Sequence, residues 1–292
     1  MSTPRFLTLP PGVSRTTVET SRGRFAALEA LPGSGVTERW PALLVPGYTG
    51  SKEDFLAVLQ TLAASGRRVV AIDMRGQYES DGPDDPSAYA RAALGEDVTA
   101  LLDALGPEPV HLVGHSFGGL VTREAVLDGP VPPASYTLMS SGPAALTGQA
   151  AAKARALRDA VPELGMPTIW TISLEPDYVG RGVAADIVAF LKARTLGNSE
   201  AGLVSMAREL LGAPDRVDEL VKHCEQTGLR VLVLYGEDDD VWDPRAQAAM
   251  AARLDAAKVV IPSAAHSPAV EAPETTAGAL THFWNQAERD LR

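Results

Sequence analysis

A serine flanked by glycines is the first feature of the sequence that could carry out chemistry. Residues 114–119 read Gly-His-Ser-Phe-Gly-Gly, directly after the apolar run 110–113 and directly before a helical pattern. A serine on such a sharp strand-to-helix turn takes a strained backbone conformation that lifts its hydroxyl clear of the sheet. Side chains two residues to either side would collide with the turn, which explains Gly114 and Gly118. Ser116 is therefore a candidate nucleophile for acyl transfer, and the helix N-terminus behind it favours the negative charge that develops.

The rest of the pattern predicts the scaffold that positions this serine. Short apolar runs alternate with segments of helical periodicity, and helices of this length between strands demand crossover connections. We expect an α/β protein with a mostly parallel central sheet, covered by helices on both faces and preceded by a hairpin. The predicted strands are 16–20, 24–30, 42–46, 68–73, 110–113, 135–139, 229–235 and 258–261.

One long interval departs from this alternation. Between residues 140 and 229 the chain is rich in Ala, Leu, Arg and Glu and has no strand pattern, but it has helical stretches near 144–161, 183–195, 200–211 and 215–227. We interpret residues 143–228 as a helical lid inserted after the sixth strand, with residues 1–142 and 229–292 forming the core. The alternative is a bundle that only shields the sheet.

The serine motif and this order of elements resemble the α/β-hydrolase fold family, in particular its esterase-like serine hydrolases and lipase-like members. The resemblance covers nearly the whole chain outside the insertion, including the turn Asp73-Met-Arg-Gly and the loop that follows it. It implies the α/β-hydrolase fold and a triad in the chain order Ser, Asp, His. Within that turn we interpret Asp73 and Arg75 as scaffold residues with buried polar contacts.

A serine hydroxyl needs a neighbouring base, itself oriented by an acid, and five histidines compete for the role of base. His266 lies in the loop between the last predicted strand and the last predicted helix. The family places its base there, at the sheet edge where α/β proteins gather their sites. The other histidines have simpler interpretations: His111 lies within a strand, His115 should project away from the serine, and His223 and His282 are solvated or packing residues.

The acid is expected in the loop after the seventh predicted strand, where residues 236–243 hold five carboxylates. Chemistry alone does not choose among them. By resemblance, the acid comes three residues after the glycine that opens the loop, which selects Asp239. Asp240 is the rival, because Pro244 comes one residue later than in the commonest form of the motif, and Asp238 is a third possibility. The other placement of the acid, after the sixth strand, is excluded because no carboxylate follows that strand.

Negative charge on the attacked carbonyl oxygen needs donors preset where it develops. The backbone N–H of Phe117 directly follows the nucleophile and is one candidate for this oxyanion hole. By resemblance, the other donor is the backbone N–H of Tyr48, after the strand 42–46. Many family members begin this turn with His-Gly, whereas here it begins with Pro46-Gly47. A substrate pocket is expected nearby, lined by Tyr48, Phe117, Met139, Trp170 and Trp242.

Composition narrows the class of protein. The 26 Lys and Arg against 37 Asp and Glu give a net charge of −11, which argues against nucleic-acid and anionic-membrane partners. One cysteine excludes an internal disulfide, and no Cys/His cluster has the spacing of zinc ligands. From the apolar pattern and the first residues we expect neither a membrane span nor a signal peptide. We therefore expect a cytoplasmic protein without metal or cofactor that acts on a small molecule; the sequence carries no signal for its oligomeric state.

The predicted reaction is hydrolysis of a small, modestly apolar carboxylic ester, thioester or lactone through an acyl-enzyme. The same triad could instead cleave a C–C or amide bond, or serve a lyase or cyclase step in a biosynthetic pathway. A third hypothesis is a non-catalytic ligand-binding module on this fold, because fold alone does not decide function. The serine argues against epoxide hydrolases and haloalkane dehalogenases, relatives that use a carboxylate nucleophile at this position.

Overall fold

The computed structural model describes residues 2–33 and 39–291. This part of the chain contains one eight-stranded sheet, with the strand order β1-β2-β4-β3-β5-β6-β7-β8. The strands are β1 Val13–Thr20, β2 Gly23–Ala30, β3 Ala42–Val45, β4 Val69–Ile72, β5 His111–His115, β6 Ser135–Met139, β7 Val231–Gly236 and β8 Ala257–Ile261. The hairpin of β1 and β2 is antiparallel and β2 pairs antiparallel with β4, whereas the pairs from β4 to β8 are parallel. The mostly parallel sheet predicted from the alternating pattern is confirmed.

Helices cover both faces of this sheet, as predicted. Those before the insertion are α1 Leu56–Ala63, α2 Arg91–Ala104 and α3 Phe117–Asp128. Neighbouring residues of a strand point to opposite faces, so Leu112 of β5 packs in the apolar cluster beneath α2 and α3, whereas Val113 packs in the cluster beneath α1. Because helices cover both faces of the sheet, each central strand is apolar on both sides. In the sequence such a strand is an unbroken apolar run.

A helical insertion separates β6 from β7. It contains α4 Gly148–Ile169, a π-helical turn Trp170–Leu174, α5 Glu175–Gly180, α6 Ala185–Leu196, α7 Glu200–Leu211 and α8 Val217–Thr227. The sequence did not predict α5 or the continuation of α4 beyond residue 161. Pro162 and Pro167 interrupt the helical pattern, and the backbone at Gly165 leaves the helical region with φ of 70°. Because these residues normally end a helix, the pattern concealed the helical segments that follow.

The last part of the chain returns to the sheet. After β7 and β8 it forms α9 Pro244–Arg253, α10 Pro268–Glu271 and α11 Pro273–Asp290. Leu280, Phe283 and Trp284 of α11 are buried against the same sheet face as α1. Among the described residues no helix is both long enough and apolar enough to cross a membrane.

Candidate active site

Ser116 alone forms the turn between β5, which ends at His115, and α3, which begins at Phe117. Its backbone has φ of 57° and ψ of −122°, a region that residues other than glycine rarely adopt. The turn also requires close packing, because a Cβ atom at Gly118 would overlap the carbonyl oxygen of Pro46. The strained turn holds the serine hydroxyl at the carboxyl end of β5.

The structure brings the three predicted triad residues together. Ser116 Oγ lies 2.9 Å from His266 Nε2, and His266 Nδ1 lies 3.0 Å from Asp239 Oδ1. His266 stands in the loop after β8 and Asp239 in the loop after β7, so adjacent strands carry them to the edge of the sheet that Ser116 occupies. Asp239 is buried, whereas Asp238 and Asp240 are exposed. Of the three carboxylates left open by the sequence, the geometry favours Asp239.

The carboxylate of Asp239 is held by several donors. Oδ1 accepts the backbone N–H groups of Val241 at 2.9 Å and Trp242 at 3.3 Å, and Oδ2 accepts the side-chain amide of Gln247 at 2.9 Å. Burial favours a raised pKa of Asp239. The hydrogen bond from His266, the attraction to its imidazolium form, the Val241 N–H and the Gln247 amide together outweigh burial, and the pKa of Asp239 lies below its usual value. The ionised acid accepts the Nδ1–H of His266, which leaves Nε2 free to accept the Ser116 hydroxyl.

His115, the residue before Ser116, contacts the loop that carries His266. Its Nε2–H donates to the backbone carbonyl of His266 at 2.8 Å, and its ring meets the ring of Phe55 edge to face. Burial, followed by the charge of His266, lowers the pKa of His115 to about 4, so it is neutral at neutral pH. The sequence predicted that this side chain points away from the serine. It did not predict the contact that ties the loop of His266 to β5.

The remaining histidines lie elsewhere in the fold. His111 bonds to Ser135 and Glu288 in the core, and burial lowers its pKa to about 4. His223 is in α8 and His282 is in α11.

The loop after β3 passes directly over Ser116. A Cβ atom at Gly47 would stand 3.0 Å from Ser116 Cβ and 3.3 Å from its Oγ, so only glycine fits without a shift. Gln77 donates to the carbonyl oxygens of Gly47 at 2.8 Å and Tyr48 at 3.0 Å. The Tyr48 hydroxyl donates to the carbonyl of Leu203 in α7 at 2.8 Å. This loop is thereby connected both to the loop after β4 and to the insertion.

The residues expected to line a pocket separate into two groups. The Trp242 ring centroid is 6.2 Å from that of His266, and Tyr48 packs edge to face on Phe117 with centroids 6.5 Å apart. Met139 instead packs in the apolar cluster that includes α1, because alternation along β6 turns it to that face. Trp170 is fully buried within the insertion and stacks on Tyr178. Phe117 is as fully buried as Trp170 and lies in the cluster beneath α2 and α3. Tyr48 and Trp242 therefore stay candidates for the pocket, whereas Phe117, Met139 and Trp170 are packing residues.

The turn after β4 has the scaffold contacts expected of it. Asp73 accepts the backbone N–H of Lys52 at 2.8 Å and its ammonium at 2.7 Å, all buried. Arg75 forms two hydrogen bonds to the carboxylate of Asp97. Within residues 2–33 and 39–291 no group of three or more His, Cys, Asp and Glu side chains is arranged to hold a metal ion.

Residues 42–279 match the model of the alpha/beta hydrolase family. The chain belongs to this family. The fold agrees with that assignment: a solved structure of a thermophilic esterase from Thermogutta terrifontis superposes with a TM-score of 0.73, covering 94% of this chain and 99% of that one. At 23% identity this likeness shows the fold alone.

Curated relatives match parts of this alpha/beta hydrolase. A proline iminopeptidase of Lactobacillus helveticus is 36% identical over 87 residues, which is 29% of this chain and 30% of that protein. The dihydrolipoyllysine-residue acetyltransferase component of an acetoin cleaving system of Pseudomonas putida is 34% identical over 179 residues, which is 58% of this chain and 44% of that protein. The chain thus spans less than half of the length of each of these relatives.

Proposed function

We propose that this protein is a serine hydrolase that cleaves a small, modestly apolar carboxylic ester through an acyl-enzyme. The observation that carries the proposal is the continuous hydrogen-bonded series from Ser116 Oγ through His266 to Asp239, with distances of 2.9 Å and 3.0 Å, on a strained strand-to-helix turn. Such a series turns a weak alcohol into a nucleophile at neutral pH.

The reaction follows from these positions. His266 Nε2 takes the hydroxyl proton as Ser116 Oγ attacks the acyl carbon, and the carbonyl oxygen becomes an oxyanion near the backbone N–H groups of Phe117 and Tyr48. His266 then returns the proton to the leaving alcohol, and the acyl group stays on Ser116. Water, deprotonated by the same imidazole, attacks the acyl-enzyme and releases the carboxylic acid. Asp239 stabilises the imidazolium in both steps.

The surroundings of the triad support a small substrate. Ser116 is only 7% exposed, and the loop above it is connected to the insertion through the hydrogen bond of Tyr48 to Leu203. Tyr48 packs among Val161, Met166 and Leu203 of the insertion, so the groups beside the loop are apolar. These neighbours suit a short acyl chain or an aromatic group better than a charged one.

Cleavage of an amide or peptide bond is the second candidate. The match to a proline iminopeptidase favours it, and the same triad supplies the chemistry, because His266 can protonate a leaving amine as well as an alcohol. No comparable observation favours C–C cleavage, a lyase step or a cyclase step.

A substrate panel tests both candidates. It comprises p-nitrophenyl esters of increasing acyl length and p-nitroanilides, including that of proline, assayed with the parent and Ser116→Ala. We expect short esters to give the highest kcat/KM and Ser116→Ala to abolish turnover, whereas Ser14→Ala on the exposed face of β1 should behave like the parent. Higher activity on the anilides would favour the second candidate. Undiminished turnover by Ser116→Ala would refute both.

A further inference from the structure

Gln77 is a buried amide whose polar contacts all go to two neighbouring turns. It lies in the loop after β4 and is 1% exposed. Its Nε2 donates to the carbonyl oxygens of Gly47 and Tyr48, and its Oε1 accepts the backbone N–H of Met74 at 3.1 Å. A flipped amide would set its oxygen against two carbonyl oxygens and its NH₂ against an N–H. The contacts therefore fix one orientation of the side chain.

These contacts hold the peptide unit between Gly47 and Tyr48. In a trans peptide the C=O and N–H bonds point in opposite directions, and the described residues contain no cis peptide bond. A Gly47 carbonyl that faces Gln77 therefore turns the Tyr48 N–H to the other side of the loop. The backbone N–H of Gly50 also donates to the Gly47 carbonyl, at 3.1 Å. Gly47 itself lies against Ser116, so this peptide unit adjoins the nucleophile.

We propose that Gln77 is a positioning residue for the oxyanion hole: by holding the carbonyl oxygens of Gly47 and Tyr48 it aims the Tyr48 N–H at the charge that forms on the substrate. This inference rests on the proposed function. Glycine resists backbone rotation less than other residues, so the peptide after Gly47 needs an external hold to stay preset. The Gly50 N–H keeps the turn closed without Gln77, but it grips only one of the two carbonyls.

Gln77→Glu tests the role with little change of shape. The variant keeps an oxygen for the Met74 N–H. Its second oxygen carries no proton when the acid is ionised and one proton when burial keeps the acid neutral, so it holds at most one of the two carbonyls that the amide holds. Because losing one oxyanion donor costs about 10²- to 10³-fold in kcat, loosening it should lower kcat at least about tenfold. KM should stay within about twofold, since the ground-state contacts are unchanged. Gln149→Glu makes the same charge change at an exposed position and should match the parent.

A scaffold role would have a different signature. A residue that only supports folding would lower the free energy of unfolding and leave kcat per folded molecule near the parent value. Gln77→Met is the second variant if Gln77→Glu fails to fold, because it also removes the donor but adds no charge. A kcat within about twofold of the parent in a folded variant, or a change in KM alone, would overturn the proposal.

Labelling of Ser116 by a fluorophosphonate separates this inference from the proposed function. The phosphoryl oxygen of the reagent develops charge at the place of the ester oxyanion, so Gln77→Glu should slow labelling at least about tenfold. A parent that labels but hydrolyses no ester would contradict the proposed substrate, while the ratio of labelling rates still decides the role of Gln77. A parent that neither labels nor hydrolyses overturns both.

Discussion

Replacing Asp239 by Asn would remove a negative charge from behind His266 and leave the hydrogen-bond acceptor in place. Oδ1 accepts from Val241 N, Trp242 N and His266 Nδ1, whereas Oδ2 accepts from Gln247. An amide nitrogen in the place of Oδ1 would face three donors, so the asparagine must put its oxygen there. His266 consequently keeps its proton on Nδ1 and its catalytic tautomer. Any loss of activity then comes from the missing negative charge beside the imidazolium.

The size of the effect follows from the geometry. An imidazolium and a carboxylate about 4 Å apart attract by about 4 kcal/mol at an effective dielectric constant near 20. The amide oxygen retains part of this attraction, so Asp239→Asn should raise the barrier by about 3 kcal/mol, or lower kcat about 150-fold. Asp239→Ala also loses the acceptor that fixes the tautomer, and its kcat should fall by about 10⁴-fold, the order of loss that a wrong tautomer produces.

The assay is kcat and KM on the best ester of the panel, with circular dichroism to show that each variant is folded. Asp240→Asn and Asp238→Asn carry the same change at exposed positions and should behave like the parent. A loss in Asp240→Asn as large as that in Asp239→Asn would refute the assignment of the acid. Equal losses in Asp239→Asn and Asp239→Ala would refute the argument from the tautomer.

Two further predictions concern stability. Burial lowers the pKa of His115 to about 4, so between pH 6.5 and 4 the unfolded chain binds more protons and the free energy of unfolding falls as the pH drops. From about pH 6.5 to about pH 5 the loss of unfolding free energy amounts to about 2 kcal/mol. Urea denaturation of His115→Asn should show a pH dependence weaker by that amount. An unchanged pH dependence in this variant would contradict the assignment to His115. Arg194 of α6 donates to Asp54 at 2.9 Å with both side chains buried, so Arg194→Met should destabilise the fold by about 3–5 kcal/mol through an unpaired charge. Asp54→Asn in the same background should recover part of that loss, and a further loss in its place would refute the account.

The sequence predicted those strands and helices that short-range residue patterns mark. Unbroken apolar runs marked the parallel strands, because these are buried on both faces. The helical segments after Pro162 and Pro167 were missed because two prolines so close together in the sequence normally end a helix. Element order together with the family resemblance was enough to select Ser116 and His266 as candidates.

The support of the site was not readable in the same way. Gln77 lies 30 residues from Gly47, and His115 lies 151 residues from the carbonyl that it holds. No motif marks such contacts, since they exist only once separate loops have folded together. Met139 and Trp170 were misplaced for a related reason: aromatic and sulfur-containing side chains suit a pocket and a core equally well, and only the three-dimensional packing separates the two.

The hydrogen bond from Tyr48 to Leu203 has a consequence for exchanging the helical insertion of this alpha/beta hydrolase. Burial raises the pKa of the Tyr48 hydroxyl, so it stays a donor at every physiological pH and always needs an acceptor. A segment grafted from a relative in place of α7 must provide a carbonyl oxygen at the same position. Otherwise the buried Tyr48 hydroxyl has no hydrogen-bond acceptor. Exchange of the insertion therefore also disturbs the loop that lies over Ser116, and the two segments must be redesigned together.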